Sequence, residues 1–151
     1  MTEKSIEAVV RELVDKEAIR DLACLYAHCV WQDDIETMIG LFTDDGVMDP
    51  EIRPPIKGRA ALLESFKDML DAGEFQPFVH NHVITLDGDR ADGVAYVDLR
   101  YTAEGKSMIG SGFYTDEYVR LDGVWKFKSR RLTTRFLVPL LEGWAESATD
   151  D

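Results

Sequence analysis

Long apolar runs, cysteine and positive charge are all scarce in this sequence, and each shortage closes off a class of function. No window reaches the roughly 18 consecutive apolar residues of a membrane-spanning helix. The opening MTEKSIEAVV lacks the basic segment and apolar stretch of a secretory signal. A cytoplasmic protein with no membrane partner is therefore expected. Cysteine occurs twice, as Cys24 and Cys29. Five residues apart on one helix, their side chains diverge by about 140°, so a disulfide between them is not expected. Seventeen Lys and Arg face 29 Asp and Glu, a net charge of −12, which repels nucleic acid. A glycine-rich phosphate loop, a Walker lysine, a Cys-x-x-Cys pair and Ser-His-Asp spacing are all missing. Nucleotide hydrolysis and thiol redox chemistry thus have no footing, and no cofactor is expected.

What is present is an ordinary globular composition. A chain of 151 residues, 45% hydrophobic and 30% charged, can bury a core as one domain without a disulfide or metal staple. The domain is expected over 1–141, with 142–151 an acidic tail that frays, Trp144 being its one anchor. Helical periodicity fills the first third. Ile6, Val9, Val10, Leu13 and Val14 recur at three and four, and Leu22, Leu25, Tyr26, Cys29 and Val30 continue the stripe, predicting one helix over 5–31. Asp33 or Asp34 is the N-cap of a short second helix carrying Ile35, Met38, Ile39 and Phe42. A brief strand over 46–49 and a proline-rich loop follow. A third helix starts near Arg59, with Leu62, Phe66, Met69 and Leu70 as its stripe and Gly73 as its C-cap.

From Phe75 the texture becomes β-rich. Asp87-Gly88, Glu104-Gly105 and Asp122-Gly123 are turn signals between runs at 75–86, 90–103, 107–120 and 124–137. Such a meander must twist, and Gly110 and Gly112 let it bend. The predicted fold is α+β: three N-terminal helices packed into a strongly curved antiparallel sheet, a cone whose mouth is a pocket.

Polar groups expected to face inward are then the informative ones. His80 and His82 share a face with Ile84 and Leu86 on a regular strand, and imidazoles suit general acid–base work. The alternative is a core histidine satisfied by a neighbour. No third ligand is marked by spacing, so no metal is expected. Arg131 shares parity with Trp125 and Phe127 if the last strand has no bulge, which would bury it. A buried arginine needs a carboxylate or an anion, and Asp98 is the candidate in kind. Tyr26 lies on the apolar stripe, so its hydroxyl should seek a partner. Trp31, Phe42, Phe66, Met69, Phe78 and Phe113 are the candidate walls for a small hydrophobic ligand.

The stretches EAIRDLACLYAHCVWQDDIETMIGLFTDDGVMD, KGRAALLESF, PFVHNHVITLDGDRADGVAYVDL and YTDEYVRLDGVWKFKSRRL resemble the SnoaL-like branch of the nuclear transport factor 2-like, or cystatin-like, superfamily. The resemblance covers about residues 8–137. It implies an α+β cone and, in members with known chemistry, cofactor-free dehydration, elimination, cyclisation or isomerisation of small, largely apolar molecules. The dehydratase-like branch pairs an Asp with a His. Counting from the Leu-Phe-Thr-Asp motif, that Asp falls at position 31, which here is Trp31. The partner His lies on the strand of His80 and His82, although matching Asn81 to a common family Asn puts Pro77 in its place. Tyr26 matches the family's pocket tyrosine and Arg131 its final-strand arginine. Two functions follow: a lyase or isomerase with His80 or His82 as base, Tyr26 as donor and Asp98 with Arg131 fixing polarity, or the same cone as a non-catalytic binder.

A homodimer through the sheet is also expected. Tyr114 and Tyr118 take the parity opposite to Ile109, Phe113 and Val119, so neither face is purely polar. The tyrosines with Lys126, Lys128 and Arg130 are taken as the exposed face. With −12 per chain, salt should tighten the association. Sedimentation at micromolar concentration should give a dimer, and a monomer at every salt level would count against it.

Overall fold

The structure is a computed structural model that describes residues 3–145. Its elements are α1 (Ile6–Gln32), α2 (Ile35–Gly40), β1 (Phe42–Asp49), β2 (Ile56–Lys57), α3 (Arg59–Asp71), β3 (Phe75–Asp87), β4 (Arg90–Ala103), β5 (Lys106–Leu121) and β6 (Val124–Pro139). Of the tail, Trp144 stacks on Phe136 with ring centroids 4.8 Å apart. The remainder of that prediction, 146–151, lies outside the described residues.

Ser5 caps α1 by accepting from the Ala8 N–H. The helix ends at Asp33, whose left-handed φ of 54° lets its N–H return to the last turn. Asp33 therefore closes α1, and Asp34 caps α2 by accepting from Thr37 N at 3.0 Å. The apolar stripe of α1 is real, but only its second half is covered. Burial starts at Asp15, which accepts from Trp125 Nε1 at 3.0 Å and Arg120 Nη1 at 2.7 Å. Ile6 is 83% exposed, and Val9, Val10, Leu13 and Val14 are exposed with it, because these first turns run past the end of the sheet contacts. Further along, α3 ends at Ala72 in right-handed geometry, so Gly73 supplies no left-handed cap.

The sheet has six strands in the order β2-β1-β6-β5-β4-β3. The meander β3 to β6 is antiparallel as expected, with positive φ at Glu104-Gly105 and Asp122-Gly123 in its two-residue turns. The brief first strand is longer than predicted and lies parallel to β6, which makes the sheet mixed. The concave face carries Ala91, Ala95, Val97, Tyr114, Tyr118 and Phe127 against Ile19, Leu22, Tyr26, Leu62 and Phe66 of the helices.

Three bulges decide which side chains face in. On β6 the pairing jumps from Glu117↔Ser129 to Tyr118↔Phe127, so Lys128 is extra and parity flips. Arg130 is thereby fully buried and Arg131 points out, beside Asp49 at 3.5 Å. The same register corrects the exposed face: Tyr114 and Tyr118 are buried, while Ile109, Phe113 and Val119 lie on the outer side. On β3 the jump from Val79↔Val97 to His82↔Ala95 separates His80 from His82. The third bulge, between Ser111 and Gly112, bends the sheet where the glycines were expected to permit it. A Cβ on Gly112 would collide with the backbone carbonyl of Thr133. Gly112→Ala should cost about 1–3 kcal/mol in urea unfolding. Gly40→Ala, where a Cβ meets nothing within 4 Å, should not destabilise.

Candidate functional site

The bend opens a cavity of about 370 Å³ between α1, α3, the segment after β1 and the concave sheet. That volume falls in the range of small-molecule sites. Val30, Met48, Ile56, Phe66, Met69 and Leu99 give it apolar walls, and Tyr26 and Tyr114 add two phenols. Arg53 and Asp68 are its charged lining groups, and both side chains are exposed.

Tyr26 is the hub of the aromatic packing, in edge contact with Phe42, Phe66, Tyr114 and Phe127 at 6.0–6.2 Å. Behind the tyrosines lies Arg130, its guanidinium 3.8 Å from the Tyr114 centroid, 4.3 Å from Phe127 and 4.5 Å from Tyr26. Asp116 holds it in a two-pronged pair, Nε to Oδ1 at 2.9 Å and Nη2 to Oδ2 at 3.0 Å. Burial works against the Arg130 charge, and the Asp116 carboxylate more than offsets it, leaving the guanidinium pKa raised. Burial also raises the pKa of Tyr26 and of Tyr114, so both phenols stay protonated at neutral pH.

The network continues away from the cavity. Tyr118 donates to Asp116 Oδ2 at 2.7 Å and shares a 2.9 Å hydrogen bond with His82 Nε2. Gly93 leaves room for this contact, since a Cβ there would meet both rings at 3.0 Å. His82 Nδ1 and Arg130 Nη1 are buried without a partner among the described residues. His80 stands on the outer face, where its Nε2 meets Asp98 Oδ2 at 2.9 Å with both side chains about half exposed. The Ser111 hydroxyl donates to the other Asp98 oxygen, and with His80 it holds that carboxyl below its ordinary range.

The structure therefore divides the predicted residues. Tyr26, Phe66 and Met69 line the cavity. Phe42 is core beneath it. His82 is half-buried in the adjoining network; His80 and Arg131 lie on the outer face because of the bulges, and Asp98 by the plain alternation of β4. Phe113 packs on Tyr96 at 5.9 Å, and Phe78 meets Trp31 edge-on at 5.5 Å. Trp31, 42% exposed, donates its indole N–H to the Pro77 carbonyl at 2.8 Å. Trp31 stands at the position where the resemblance puts the dyad's Asp, and it touches Pro77, the position that matching Asn81 gives for the His. Arg130 and Tyr114 were expected on the exposed face, and Asp116 and Arg53 escaped the sequence reading. The adjacent pair Arg130-Arg131 marked the first, but alternation without a bulge chose the wrong member.

The sequence profile of a SnoaL-like domain matches residues 11–131. A gamma-hexachlorocyclohexane dehydrochlorinase from Sphingobium indicum is 35% identical over 57 residues, which is 36% of this chain. The match likewise spans only 36% of that relative's length. The crystal structure of LinA superposes with a TM-score of 0.81 at 26% identity, covering 87% of this chain and 92% of that one. A protein from Nostoc punctiforme with a cystatin-like fold superposes at 0.72 with 24% identity, over 80% of this chain and 91% of its own.

Burial lowers the pKa of His82 from the ordinary 6.5, so the fold favours its neutral form. Between the lowered value and 6.5 the unfolded chain binds the extra proton, and stability must fall as pH drops through that window. Urea unfolding between pH 7.5 and 5.5 should show this loss. His82→Gln should flatten the dependence; an unchanged slope would assign it to other groups.

Proposed function

Because the chain belongs to the SnoaL-like domain family, we propose that its cone cavity takes up a small, largely apolar molecule and holds it without a histidine base. The observation that carries this is the lining itself: apolar walls, two neutral phenols, Arg53 and Asp68 as the charged groups, and no imidazole among the described residues. Proton abstraction needs a base within hydrogen-bond reach of the proton it removes. Tyr26 and Tyr114 can donate to a carbonyl or hydroxyl of a bound molecule, but as protonated phenols they cannot accept its proton. Trp31 and Pro77, in contact through the indole N–H, fill the positions that would supply an acid–base pair. The fold alone does not decide between catalysis and binding, since it hosts both.

The second reading is a cofactor-free lyase or isomerase, the class to which a dehydrochlorinase belongs. It is favoured by the stacking of both tyrosines on the Arg130 guanidinium, which biases their hydroxyls toward stabilising a developing oxyanion or departing anion. The sheet-to-sheet homodimer stays part of the proposal on new residues, the exposed Val83, Tyr96 and Phe78 replacing the tyrosines first expected there.

Calorimetric titration with 2-naphthol tests the main reading. Binding should be measurable in the wild type and fall at least about tenfold in Leu99→Trp, which fills the cavity. Chloride release from gamma-hexachlorocyclohexane should stay at the background rate. Release that is lost in Tyr26→Phe would instead establish the lyase.

A further inference from the structure

We infer that Arg53 makes the cavity selective for a small apolar monoanion, a carboxylate or phenolate whose charge is taken at the mouth while its body fills the interior. This rests on the cavity being the ligand site. Arg53 belongs to the segment between β1 and β2 that lines the cavity together with Pro50, Ile52 and Ile56. Its Nη2 donates to Ser65 Oγ at 3.0 Å, and among the described residues no carboxylate stands within 4 Å of it. Four of the five guanidinium N–H donors therefore remain free.

Other basic residues of the chain also lack an ion-pair partner among the described residues; what sets Arg53 apart is that it lines the cavity. The nearest carboxylates in sequence are engaged elsewhere. Glu51 accepts from the Thr134 backbone N–H at 2.9 Å, and Asp49 faces Arg131 at 3.5 Å. The hydroxyl of Ser65, on α3, instead fixes the guanidinium at the cavity without neutralising it. A neutral apolar ligand would leave this cation unused, whereas an anion of matching planar geometry gains charge-assisted hydrogen bonds. Asp68 also lines the cavity, one turn beyond Ser65, and its field opposes a second negative charge. The pair thus points to one formal charge on the ligand. At the other polar group of the cavity, the phenols of Tyr26 and Tyr114 suit an oxygen acceptor, so an aromatic or alicyclic acid carrying a second, neutral oxygen fits both.

Calorimetry with 2-naphthoate and its neutral counterpart 2-naphthamide tests this on the full chain. Naphthoate should bind about tenfold more tightly at low salt, and the gap should shrink as salt is added. Arg53→Gln should bring naphthoate down to the affinity of naphthamide, and Asp68→Asn should raise naphthoate affinity further. Equal affinities in the wild type, or a naphthoate preference that survives Arg53→Gln, would overturn the role of Arg53 while leaving the cavity reading in place. If neither compound binds, the cavity reading fails and the selectivity with it.

Discussion

The buried pair of Arg130 and Asp116 is the constraint around which this protein is arranged. Neither side chain has any exposure, and a charge so placed is tolerable only while its partner is present. Losing one member of such a pair costs about 3–5 kcal/mol, a large share of the stability of a domain this size. Every neighbouring element adapts to it. The bulge at Lys128 turns Arg130 inward, Gly93 makes space for Tyr118 and His82, and Tyr26 brings α1 onto the guanidinium face. The aromatic rings stack on the guanidinium face while Asp116 balances its charge.

This arrangement separates two kinds of polar chemistry that share one sheet. On the concave side, burial favours the neutral forms of the tyrosines and His82, and the fully buried charge is the compensated Arg130–Asp116 pair. On the outer side, His80, Asp98 and Ser111 form a partly solvated chain of hydrogen bonds. A His–Asp contact of ordinary length is therefore present, but on the outer face, away from the cavity that Tyr26 and Tyr114 line. The cavity itself is apolar apart from its two phenols, a few hydroxyls and the charged pair Arg53 and Asp68.

How much of this was legible depends on the range over which each signal acts. Turn glycines, proline punctuation and period-two alternation are local, and they placed β3 to β6 within about two residues of their observed ends. The aromatic and aliphatic stripe from Leu22 to Val30 likewise identified Tyr26 as buried. The first turns of α1 carry the same periodicity and remain exposed, because periodicity selects a face without supplying anything to cover it.

By itself the sequence determined the fold class, the three helices, the meander and the absence of an acid at position 31, since each is written in residue type and local spacing. Only the tertiary structure decided which arginine is buried, which tyrosines face the core and where the two histidines go. Those outcomes hinge on single extra residues at bulges, and one inserted residue reverses the facing of every side chain beyond it. The bulges themselves are set by cross-strand pairing and by the need to bring Arg130 onto Asp116, a contact between residues 14 apart on neighbouring strands. No local pattern records that need.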